Sequence, residues 1–472
     1  MTPALPPDAG RSWWLREALA DDPGAPAPAL AGDVEADVVI LGGGFTGMWT
    51  ALHLTDREPG MRVTILEQDI CGGGPSGRNG GFVNSWWSGV GELAERFGDD
   101  ATLALCRAGT RAVSGIESFC SDNDVDAWFT RAGDMGVVTS EANDGAWRAN
   151  VDTAARLGMT SQFRVLTAGE TRAIADSPTF RGGVLDGEGA TVQPARLARG
   201  MRRILLERGV SVFEQSPVVR FGAGRPSTAE TPGGRVTAGT AVLALNAWAA
   251  AWRRFRRTLM VRGSYILLTA PAPERLREIG WTGEESIWDF RAALHYLRTT
   301  KDGRIAFGLG GMQPGLARSI GPAFAHDERS LGVVAHDLGR MFPAFRDVPL
   351  EAGWGGPIDV AGHHLPYVGR LDRGDVHFAH GYTGNGVGPS HLVGELLATR
   401  VLGSPDETLE ALPIATVEPV RFPPEPIRSP GALIANTAIR RKDESEDRGD
   451  APHPLVDFVA KLPRRLGYNL GP

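Results

Sequence analysis

Two short apolar runs near the N-terminus flank a segment with helical periodicity. Residues 36–41 (ADVVIL) and 62–67 (RVTILE) have the length and the apolar continuity of buried strands. Between them, a glycine-rich turn precedes residues 45–57, whose apolar side chains recur at three- and four-residue spacing. The pattern predicts a strand, a turn, a helix and a second strand that ends on Glu67.

Farther along, strand–helix alternation gives way to an antiparallel pattern. Helical periodicity is clearest at 99–122 and 194–209, strand-like pieces lie within 127–140, and further strands are predicted at 210–213, 218–221 and 235–245. Residues 260–311 instead predict strands at 262–269, 293–299 and 304–309, with a hairpin turn at 301–303. Residues 353–403 then predict a glycine-rich loop, a short strand (VHFAH), a second glycine cluster and a helix.

The two ends of the chain have a different character. The first 35 residues are rich in Pro, Ala and Asp, and predict a leader that lies over the surface and is anchored by Trp13 and Trp14. Near the C-terminus, the charged segment 440–450 is interpreted as a linker to a small amphipathic end at 455–470. We interpret that end as a packing or subunit-contact element rather than a membrane anchor, which leaves a homo-oligomer open.

Composition narrows the class of protein. The chain has 472 residues, is 42% hydrophobic and carries a net charge of -7, with no basic face for nucleic acid. Three cysteines are too few for a disulfide framework, and no apolar run reaches the roughly eighteen residues that span a bilayer. We therefore predict a cytoplasmic protein without a nucleic-acid or membrane partner. The sequence contains no metal-ligand, Walker-type or Gly-x-Ser-x-Gly motif, and we predict no metal site.

The turn after the first strand has the spacing of a dinucleotide-binding motif. Gly42 and Gly44 allow a tight turn and close approach to a pyrophosphate, and Gly47 lets helix and strand pack closely. Glu67 follows Gly47 by twenty residues, where a ribose-binding carboxylate is expected. Residues 72–77 (GGGPSG) match the same pattern but lack the strand before and the helix after. Taken alone, the first motif indicates NAD or FAD equally.

Later motifs favour FAD through a family resemblance. The turn GGGFTG, Glu67, the loop SGRNGG (76–81), the segment LNAW (245–248) and the cluster GYTGNGVG (381–388) occur in one order. Together they resemble the FAD-dependent D-amino-acid-oxidase (DAO) superfamily, and most closely its gamma-glutamylputrescine oxidoreductase-like branch, over residues 10–405. The resemblance implies an α/β fold, α+β overall. A Rossmann-like FAD-binding domain of glutathione-reductase type is interleaved with an antiparallel-sheet substrate domain.

The same resemblance implies domain boundaries and cofactor contacts. The FAD-binding domain comprises 36–90, 190–250 and 350–405, the substrate domain 91–189 and 251–349, and the ends are a leader (1–35) and an extension (406–472). The implied FAD-binding residues are Gly42, Gly44, Phe45, Thr46, Gly47, Glu67, Gln68, Ser76, Arg78, Asn79, Gly80, Gly81, Val219 (by the adenine), Asn246, Gly384, Asn385, Gly386 and Val387. Arg78 either balances phosphate charge or makes structural hydrogen bonds.

The resemblance also implies the reaction. Members of the superfamily transfer hydride from a carbon beside an amine nitrogen to flavin N5, and water hydrolyses the imine to a carbonyl compound. Relatives that act on amino acids hold the carboxylate with two arginines, in stretches that align with 354–358 (WGGPI) and 381–385 (GYTGN). Since neither stretch contains arginine here, we expect a primary or secondary amine whose acidic group, if present, lies farther from the reacting carbon. A glycine, sarcosine or D-amino-acid oxidase or dehydrogenase is the alternative.

Candidates near the flavin remain individually open. Arg298 is interpreted as an anion-binding residue or part of an ion pair, and Tyr265 as a cavity or core residue. Tyr382 is expected close to the ring, and of His363 and His364 at most one is expected to face the site. Covalent attachment of the FAD is not expected, because no cysteine follows Cys120. The electron acceptor, O2 or another, stays open. The rival functions are a flavin monooxygenase and a noncatalytic flavoprotein subunit.

Overall fold

The computed structural model describes residues 4–312 and 320–468. The strands are β1 (Val34–Leu41), β2 (Val63–Leu66), β3 (Phe82–Val83), β4 (Asp134–Val137), β5 (Phe163–Thr167), β6 (Gly182–Asp186), β7 (Ala190–Thr191), β8 (Ser211–Phe213), β9 (Arg220–Gly222), β10 (Ser227–Thr231), β11 (Gly234–Leu243), β12 (Met260–Thr269), β13 (Ser286–Asp289), β14 (His295–Thr299), β15 (Ile305–Met312), β16 (Leu350–Val360), β17 (Tyr367–Arg370) and β18 (Val376–His380). The α-helices are α1 (Trp13–Asp21), α2 (Phe45–Arg57), α3 (Val90–Phe97), α4 (Asp99–Asp122), α5 (Arg148–Arg156), α6 (Ala168–Ile174), α7 (Pro194–Glu207), α8 (Pro273–Glu278), α9 (Glu328–Met341), α10 (Val387–Val401), α11 (Glu407–Glu410), α12 (Pro413–Thr416), α13 (Arg428–Asp447) and α14 (Pro454–Arg465). Short 3-10 helices are Pro75–Gly77, Trp87–Gly89, Glu141–Asn143, Asn246–Ala251, Pro322–Phe324 and Pro343–Phe345.

One sheet has the order β17-β18-β11-β1-β2-β8, extended from β11 by β10 and β9. Strand β1 runs parallel to both β2 and β11, with Val38 opposite Val63 and Leu41 opposite Leu243. Helices α2 and α10 pack against each other beside this sheet. The apolar runs at the carboxyl ends of β1, β2 and β11 are buried, as expected where both faces of a sheet are covered. The predicted alternation of strands and helices is confirmed in this sheet.

The other large sheet has the order β16-β12-β15-β14-β13-β4-β6-β5 and is antiparallel except where β13 meets β4. One face buries Leu267, Leu297 and Phe307 against α9 and its neighbours. The opposite face buries Ile266 and Leu268 against the tryptophans of α1. Since side chains alternate along a strand, even and odd positions of β12 lie in different cores. The predicted fold class, α/β with an interleaved antiparallel sheet, is confirmed.

Strand β16 departs from the sequence-based expectation. Residues from 353 onward were expected to form a loop, and 350–405 to belong wholly to the cofactor-binding part. Instead β16 pairs with β12 along its length, in the antiparallel sheet. The glycines in it serve close packing, because a Cβ on Gly355 would lie 2.5 Å from the Phe324 carbonyl and 2.6 Å from the ring of Tyr265. Glycine in a strand interior marks such close approach as readily as a loop.

The ends of the chain are more structured than expected. Trp13 and Trp14 are buried on α1. The charged segment 440–450, expected to be a linker, lies mostly within α13, where Arg291 pairs with Asp447. The amphipathic end forms α14, and residues 469–470 of that prediction lie outside the described residues. Among residues 4–312 and 320–468, no helix is long and apolar enough to cross a membrane.

Candidate active site

A first cavity, the cofactor cavity, opens at the carboxyl ends of β1, β2 and β11. This is where open α/β sheets bind their ligands. Its walls are Leu41, Gly42, Gly43, Gly44, Phe45, Thr46, Leu66, Glu67, Gln68, Gly74, Pro75, Ser76, Asn79, Ser216, Val218, Ala244, Leu245, Asn246, Trp248, Ala251, Trp252, Ile358, Asp359, Ala379, Tyr382, Gly384, Gly386, Val387 and Ser390. Three segments distant in sequence therefore meet in one cavity.

The glycine turn is held by its own backbone. Gly42 has φ +110°, and a Cβ on Gly47 would lie 2.1 Å from the Gly42 carbonyl oxygen. Helix α2 begins at Phe45 without a side-chain cap on its Gly44 N-cap, and the Phe45 N–H donates to Ser76 Oγ at 2.9 Å. N–H groups in the first turn of a helix have no intrahelical acceptor, and they attract anions. The turn therefore fits a dinucleotide pyrophosphate.

Glu67 lies just beyond β2, with its carboxylate in the cavity wall. Oε2 accepts the Gly43 N–H at 2.8 Å and Oε1 accepts the Asp69 N–H at 2.9 Å. Burial raises the pKa of this carboxyl, while the two N–H donors oppose that shift. The remaining acceptor capacity of the carboxylate fits the hydroxyl groups of a ribose. Gln68, next in the chain, is exposed and also lines the cavity.

The loop 76–81 is fixed by internal hydrogen bonds. The Asn79 amide donates to the carbonyls of Pro75 and Ser76, and its Oδ1 accepts the Gly81 N–H at 2.7 Å. The Arg78 guanidinium donates to the carbonyls of Gly73, Gly355 and Gly10. These hydrogen bonds are structural, and Arg78 lines a second cavity rather than the cofactor cavity. Gly80 lines that second cavity too, whereas Gly81 lines neither.

The C-terminal glycine cluster closes the cofactor cavity. The Tyr382 and Thr46 hydroxyls are 2.6 Å apart, so the cluster is tied to the first turn of α2. Helix α10 begins at Val387 after an uncapped Gly386. Two uncapped helix N-termini therefore open on one cavity, an arrangement suited to a ligand that carries negative charge at two places. Asn385 belongs to the second cavity.

Asp359 is a cofactor-cavity residue that the sequence did not reveal. It lies near the end of β16 and is 1% exposed, and its carboxylate accepts the N–H groups of Gly381 and Tyr382. Asn246, with φ +46°, donates its amide to the same carboxylate at 3.0 Å. Burial raises the pKa of Asp359 to about 7. In the sequence, the only indication of this role is that Asp359 is a single acidic residue at the end of an apolar run.

The expectation for the adenine end needs a correction of one residue. The Val219 side chain is 68% exposed, whereas Val218 lines the cavity together with Ser216. Side chains of successive residues in extended chain point in opposite directions, so a one-residue error moves the side chain out of the cavity. Trp248 and Trp252 also line this cavity and were not predicted.

A second cavity, the substrate cavity, has a volume of about 310 Å³, in the range of small-molecule sites. Pro75, Asn79, Ile358, Gly384 and Val387 line both cavities, so the two adjoin. Its own walls are largely aromatic and apolar. They include Phe82, Trp86, Leu93, Trp288, Leu294, Tyr296, Val360 and Leu365, with the polar residues Asn84, Glu92, Arg96, Arg262, Ser264, His363, His364 and Thr383.

Both adjacent histidines line the substrate cavity, although at most one was expected to do so. His364 has φ +63°, which turns the chain so that successive side chains need not diverge. His363 Nε2 lies 3.0 Å from Arg96 Nη2 and 3.0 Å from the Glu418 carbonyl. Burial lowers the pKa of His363 to about 4 and also lowers that of His364.

Two other candidates do not line the substrate cavity, and for Tyr265 the core role, one of its two alternatives, is the one observed. Tyr265 is buried in the core on the α9 side of the sheet, where its hydroxyl donates to the Ala323 carbonyl. Arg298 is on the correct face but lies under α1, 5.9 Å from the Trp14 ring, and donates to the carbonyls of Val192 and Thr299. The residues that line the cavity in this sheet are Arg262, Ser264 and Tyr296. The Ser264 and Tyr296 hydroxyls are 2.6 Å apart.

Known proteins resemble this chain along most of its length. It is 29% identical to gamma-glutamylputrescine oxidoreductase of Escherichia coli (strain K12), over 80% of this chain and 86% of that protein. It is 23% identical to glycine oxidase of Bacillus licheniformis, over 79% of this chain and 94% of that protein. The L-proline dehydrogenase structure from P. horikoshii superposes with a TM-score of 0.66 at 20% identity, over 82% of this chain and 98% of that one. The DAO model, described as FAD dependent oxidoreductase, matches residues 37–400, and the chain therefore belongs to this family of FAD-dependent oxidoreductases.

Proposed function

We propose that the protein oxidises the C–N bond of a primary or secondary amine to an imine, which water hydrolyses to a carbonyl compound. The observation that carries the proposal is that a substrate cavity with aromatic walls adjoins the cofactor cavity and shares five wall residues with it. The relatives named above as gamma-glutamylputrescine oxidoreductase and glycine oxidase support an amine as the substrate. When bound, FAD supplies the acceptor for the hydride.

The cofactor-contact residues form part of the same proposal. The turn 42–47 receives the pyrophosphate, Glu67 a ribose, and the N-terminus of α10 the end of the ligand where negative charge accumulates. We infer noncovalent attachment, and yellow colour left on acid-precipitated protein would contradict it. The buried, unpaired Cys71, Cys106 and Cys120 support a cytoplasmic protein.

The chain's own contribution to catalysis is to hold the amine uncharged. A free alkyl ammonium has a pKa near that of lysine, about 10.4, and only the neutral amine can lose hydride readily. Burial already lowers the pKa of His363 and His364 in the cavity wall. The same desolvation acts on a bound ammonium. His364, neutral at pH 7, is a proton acceptor available in that wall.

The test is anaerobic bleaching of the flavin absorption of the purified holoenzyme by a panel of polyamines, N-methyl amines, aminophosphonates and amino acids. We expect at least one amine to bleach the band and to yield a carbonyl product. Bleaching by NADPH alone would support a monooxygenase instead. A protein that no amine bleaches, although its FAD can be reduced chemically, would be a noncatalytic subunit. Reoxidation by O2 or only by a dye then separates an oxidase from a dehydrogenase.

A further inference from the structure

Asp134, on β4, is a buried carboxylate that accepts hydrogen bonds from three side chains. Oδ2 accepts the Trp288 Nε1–H at 2.7 Å and the Asn84 amide at 3.2 Å, and Oδ1 accepts the Ser286 hydroxyl at 2.6 Å. The residue is 4% exposed. Burial raises the pKa of Asp134 to about 6, and the three donors oppose that rise, so the carboxyl is mainly ionised above pH 7.

Two of these donors belong to the wall of the substrate cavity. Trp288 and Asn84 line it, whereas Asp134 is not among the described residues that line either cavity. Trp288 lies on β13 of the antiparallel sheet, and Asn84 follows β3, which pairs only with β7 in the described sheets. One carboxylate oxygen therefore joins two wall segments that come from different sheets.

The Trp288 side chain is held in one orientation. A Cβ on Gly136 would lie 2.9 Å from its ring, and the ring of Phe290 packs against it with the centroids 4.6 Å apart. An indole has a single N–H donor, and Asp134 accepts it. Trp288 therefore presents its ring, and not a hydrogen-bond donor, to the cavity.

Asn84 connects this wall to the cofactor cavity. A Cβ on Gly388 would lie 2.3 Å from the Asn84 carbonyl oxygen, so Asn84 packs directly on the first turn of α10. Val387, which begins α10, lines both cavities. The hydrogen bonds of Asp134 thus connect Trp288, through Asn84, to the helix whose N-terminus opens on the cofactor cavity.

We propose that Asp134 is a positioning residue for the oxidation of the amine, because it holds Trp288 and Asn84 in a fixed place relative to α10. The inference rests on the proposed amine oxidation. Transfer between two bound groups is sensitive to a misplacement of about 1 Å, and wall side chains hold such a geometry only when their own hydrogen bonds fix them. Asp134 acts through these two side chains and does not touch the substrate.

Asp186 provides the matched control. It lies directly opposite Asp134 on the neighbouring strand β6, and burial raises its pKa as well, to about 7. Its carboxylate accepts the Gln162 amide at 2.7 Å and the Glu188 N–H at 3.0 Å. Neither of these partners is among the described residues that line a cavity. Asp186→Asn therefore removes a similar carboxylate without touching the wall.

The hydrogen bond to Trp288 can be observed without turnover. In FAD-loaded protein with isotope-labelled tryptophan, the signal that is missing in Trp288→Phe is the indole N–H of Trp288. We expect amines of the panel to shift this signal, and its exchange with solvent above pH 7 to be roughly 10-fold faster in Asp134→Ala. A signal that no amine shifts, or an exchange rate that Asp134→Ala leaves unchanged, would overturn the proposal.

Anaerobic rapid mixing measures what the hydrogen bonds contribute to the reaction. Per bound FAD, Asp134→Ala should lower the limiting rate of flavin reduction roughly 10- to 100-fold, while the dissociation constant of the amine rises only severalfold. Asp134→Asn keeps an oxygen acceptor for Trp288 and Asn84 and should recover most of the rate. Asp186→Asn should leave it unchanged. A native limiting rate in Asp134→Ala would mean a purely structural role, and the proposal would be wrong.

A double-mutant cycle assigns the effect to Trp288. In the Trp288→Phe background, which keeps a ring and lacks the donor, the substitution of Asp134 should slow flavin reduction less than in the native background. Equal slowing in both backgrounds would contradict the proposal. If Asp134→Ala does not retain FAD, Asp134→Ser replaces it in each measurement, because its hydroxyl remains near Ser286 but is one bond short of Trp288.

The two kinds of measurement separate this proposal from the proposed function. If amines shift the Trp288 signal in the native protein but not in Asp134→Ala, and no amine reduces the flavin, amine oxidation is wrong and the positioning of the wall by Asp134 stands. If amines reduce the flavin of Asp134→Ala at the native limiting rate, amine oxidation stands and the positioning role is wrong.

Discussion

The cofactor cavity and the substrate cavity present different kinds of chemical group to a ligand, backbone groups in the first and side chains in the second. In the cofactor cavity the contacts come from backbone: a glycine turn, two helix N-termini and N–H groups held by Glu67 and Ser76. In the substrate cavity they come from side chains of the antiparallel sheet, of α3 and of several loops. Backbone sites depend on glycine spacing within a few residues. Side-chain sites depend on the face and the row of a sheet assembled from distant segments.

The antiparallel sheet shows why a site built from side chains is harder to predict from the sequence. Arg298 is opposite Ala306, which is opposite Leu268, and α1 covers this row. Farther toward the start of β12 the same face is free of α1, and Arg262 and Ser264 reach the cavity. Helix α1 thus covers the row that contains Arg298 and leaves the row that contains Arg262 at the cavity. No local pattern carries that information.

The largest expected effect comes from disturbing the backbone site. In Gly47→Ala the new Cβ would lie 2.1 Å from the Gly42 carbonyl oxygen and 3.1 Å from Ile40, so α2 must move away from β1. We expect an FAD affinity lower by roughly 10- to 100-fold and a stability loss of about 1–3 kcal/mol. FAD content after gel filtration and thermal unfolding measure the two. In the control Gly60→Ala the Cβ meets nothing within 4 Å, and a similar loss there would refute the packing argument.

A smaller effect is expected where the two sheets meet, at Asp359. Asp359→Ala leaves the Gly381 and Tyr382 N–H groups and the Asn246 amide without their acceptor. We expect a stability loss of about 1–3 kcal/mol and weaker FAD binding, because loops of the cofactor cavity lose their link to β16. Asp359→Asn keeps one acceptor oxygen and should lose less. Equal behaviour of the alanine and asparagine variants would remove this role.

The same residue predicts a dependence on pH. Burial raises the pKa of Asp359 to about 7, above the 3.8 of an unfolded aspartate. The folded state therefore binds this proton more tightly, so the contribution is fully present below pH 3.8 and is lost as the pH rises through 7. Subtracting the profile of Asp359→Asn from that of the native protein should isolate this decline between pH 4 and 7. A flat difference would contradict the shift.

Two tyrosines on opposite faces of the sheet give a finer test. Tyr265→Phe removes the hydrogen bond to the Ala323 carbonyl in the core and should cost about 1 kcal/mol of stability without changing ligand binding. Tyr296→Phe removes the contact with Ser264 in the cavity wall and should weaken amine binding severalfold. Chemical denaturation and the dependence of flavin bleaching on amine concentration separate the two. If the effects were reversed, the assignment of faces would be wrong.

The sequence was informative wherever function depends on local backbone geometry. The first β-α-β unit, Glu67 and the C-terminal glycine cluster were all predicted to meet, and they line one cavity. The prediction from the sequence was wrong where one residue type, glycine, occurs both in loops and in closely packed strands. The glycines of 353–356 indicated a loop, although they let Tyr265 and Leu267 pack closely in a sheet.

The expectation that rests on the lack of arginine in 354–358 and 381–385 stays a prediction. Register could not be derived from the sequence, so the pairing of Arg262 on β12 with Ile358 on β16 was not predicted. Which side chains of neighbouring strands meet at the cavity depends on that register.

The smallest predicted effect concerns the contact of α13 with the antiparallel sheet, which lies outside both cavities. His295 is fully buried between Asp289, with Nδ1 to Oδ2 2.6 Å, and Asp337, with Nε2 to Oδ2 3.0 Å. The surrounding charges are Arg291, Arg340, Asp443 and Asp447. Burial disfavours the imidazolium, but the two aspartates outweigh it and raise the pKa of His295.

Because the folded-state pKa of His295 is raised above the 6.5 of a free imidazole, its contribution to stability is complete below pH 6.5 and is lost as the pH rises through the raised value. Loss of the imidazolium leaves Asp289 and Asp337 with less compensation beside Asp443 and Asp447, which α13 contributes. Amide hydrogen exchange of α13, corrected for the intrinsic rate, should therefore accelerate as the pH rises above 6.5. Helix α10 is the internal control, because burial lowers the pKa of its His391 to about 3 and that side chain does not titrate in this range. Equal acceleration in both helices would indicate a global loss of stability rather than release of the C-terminal extension.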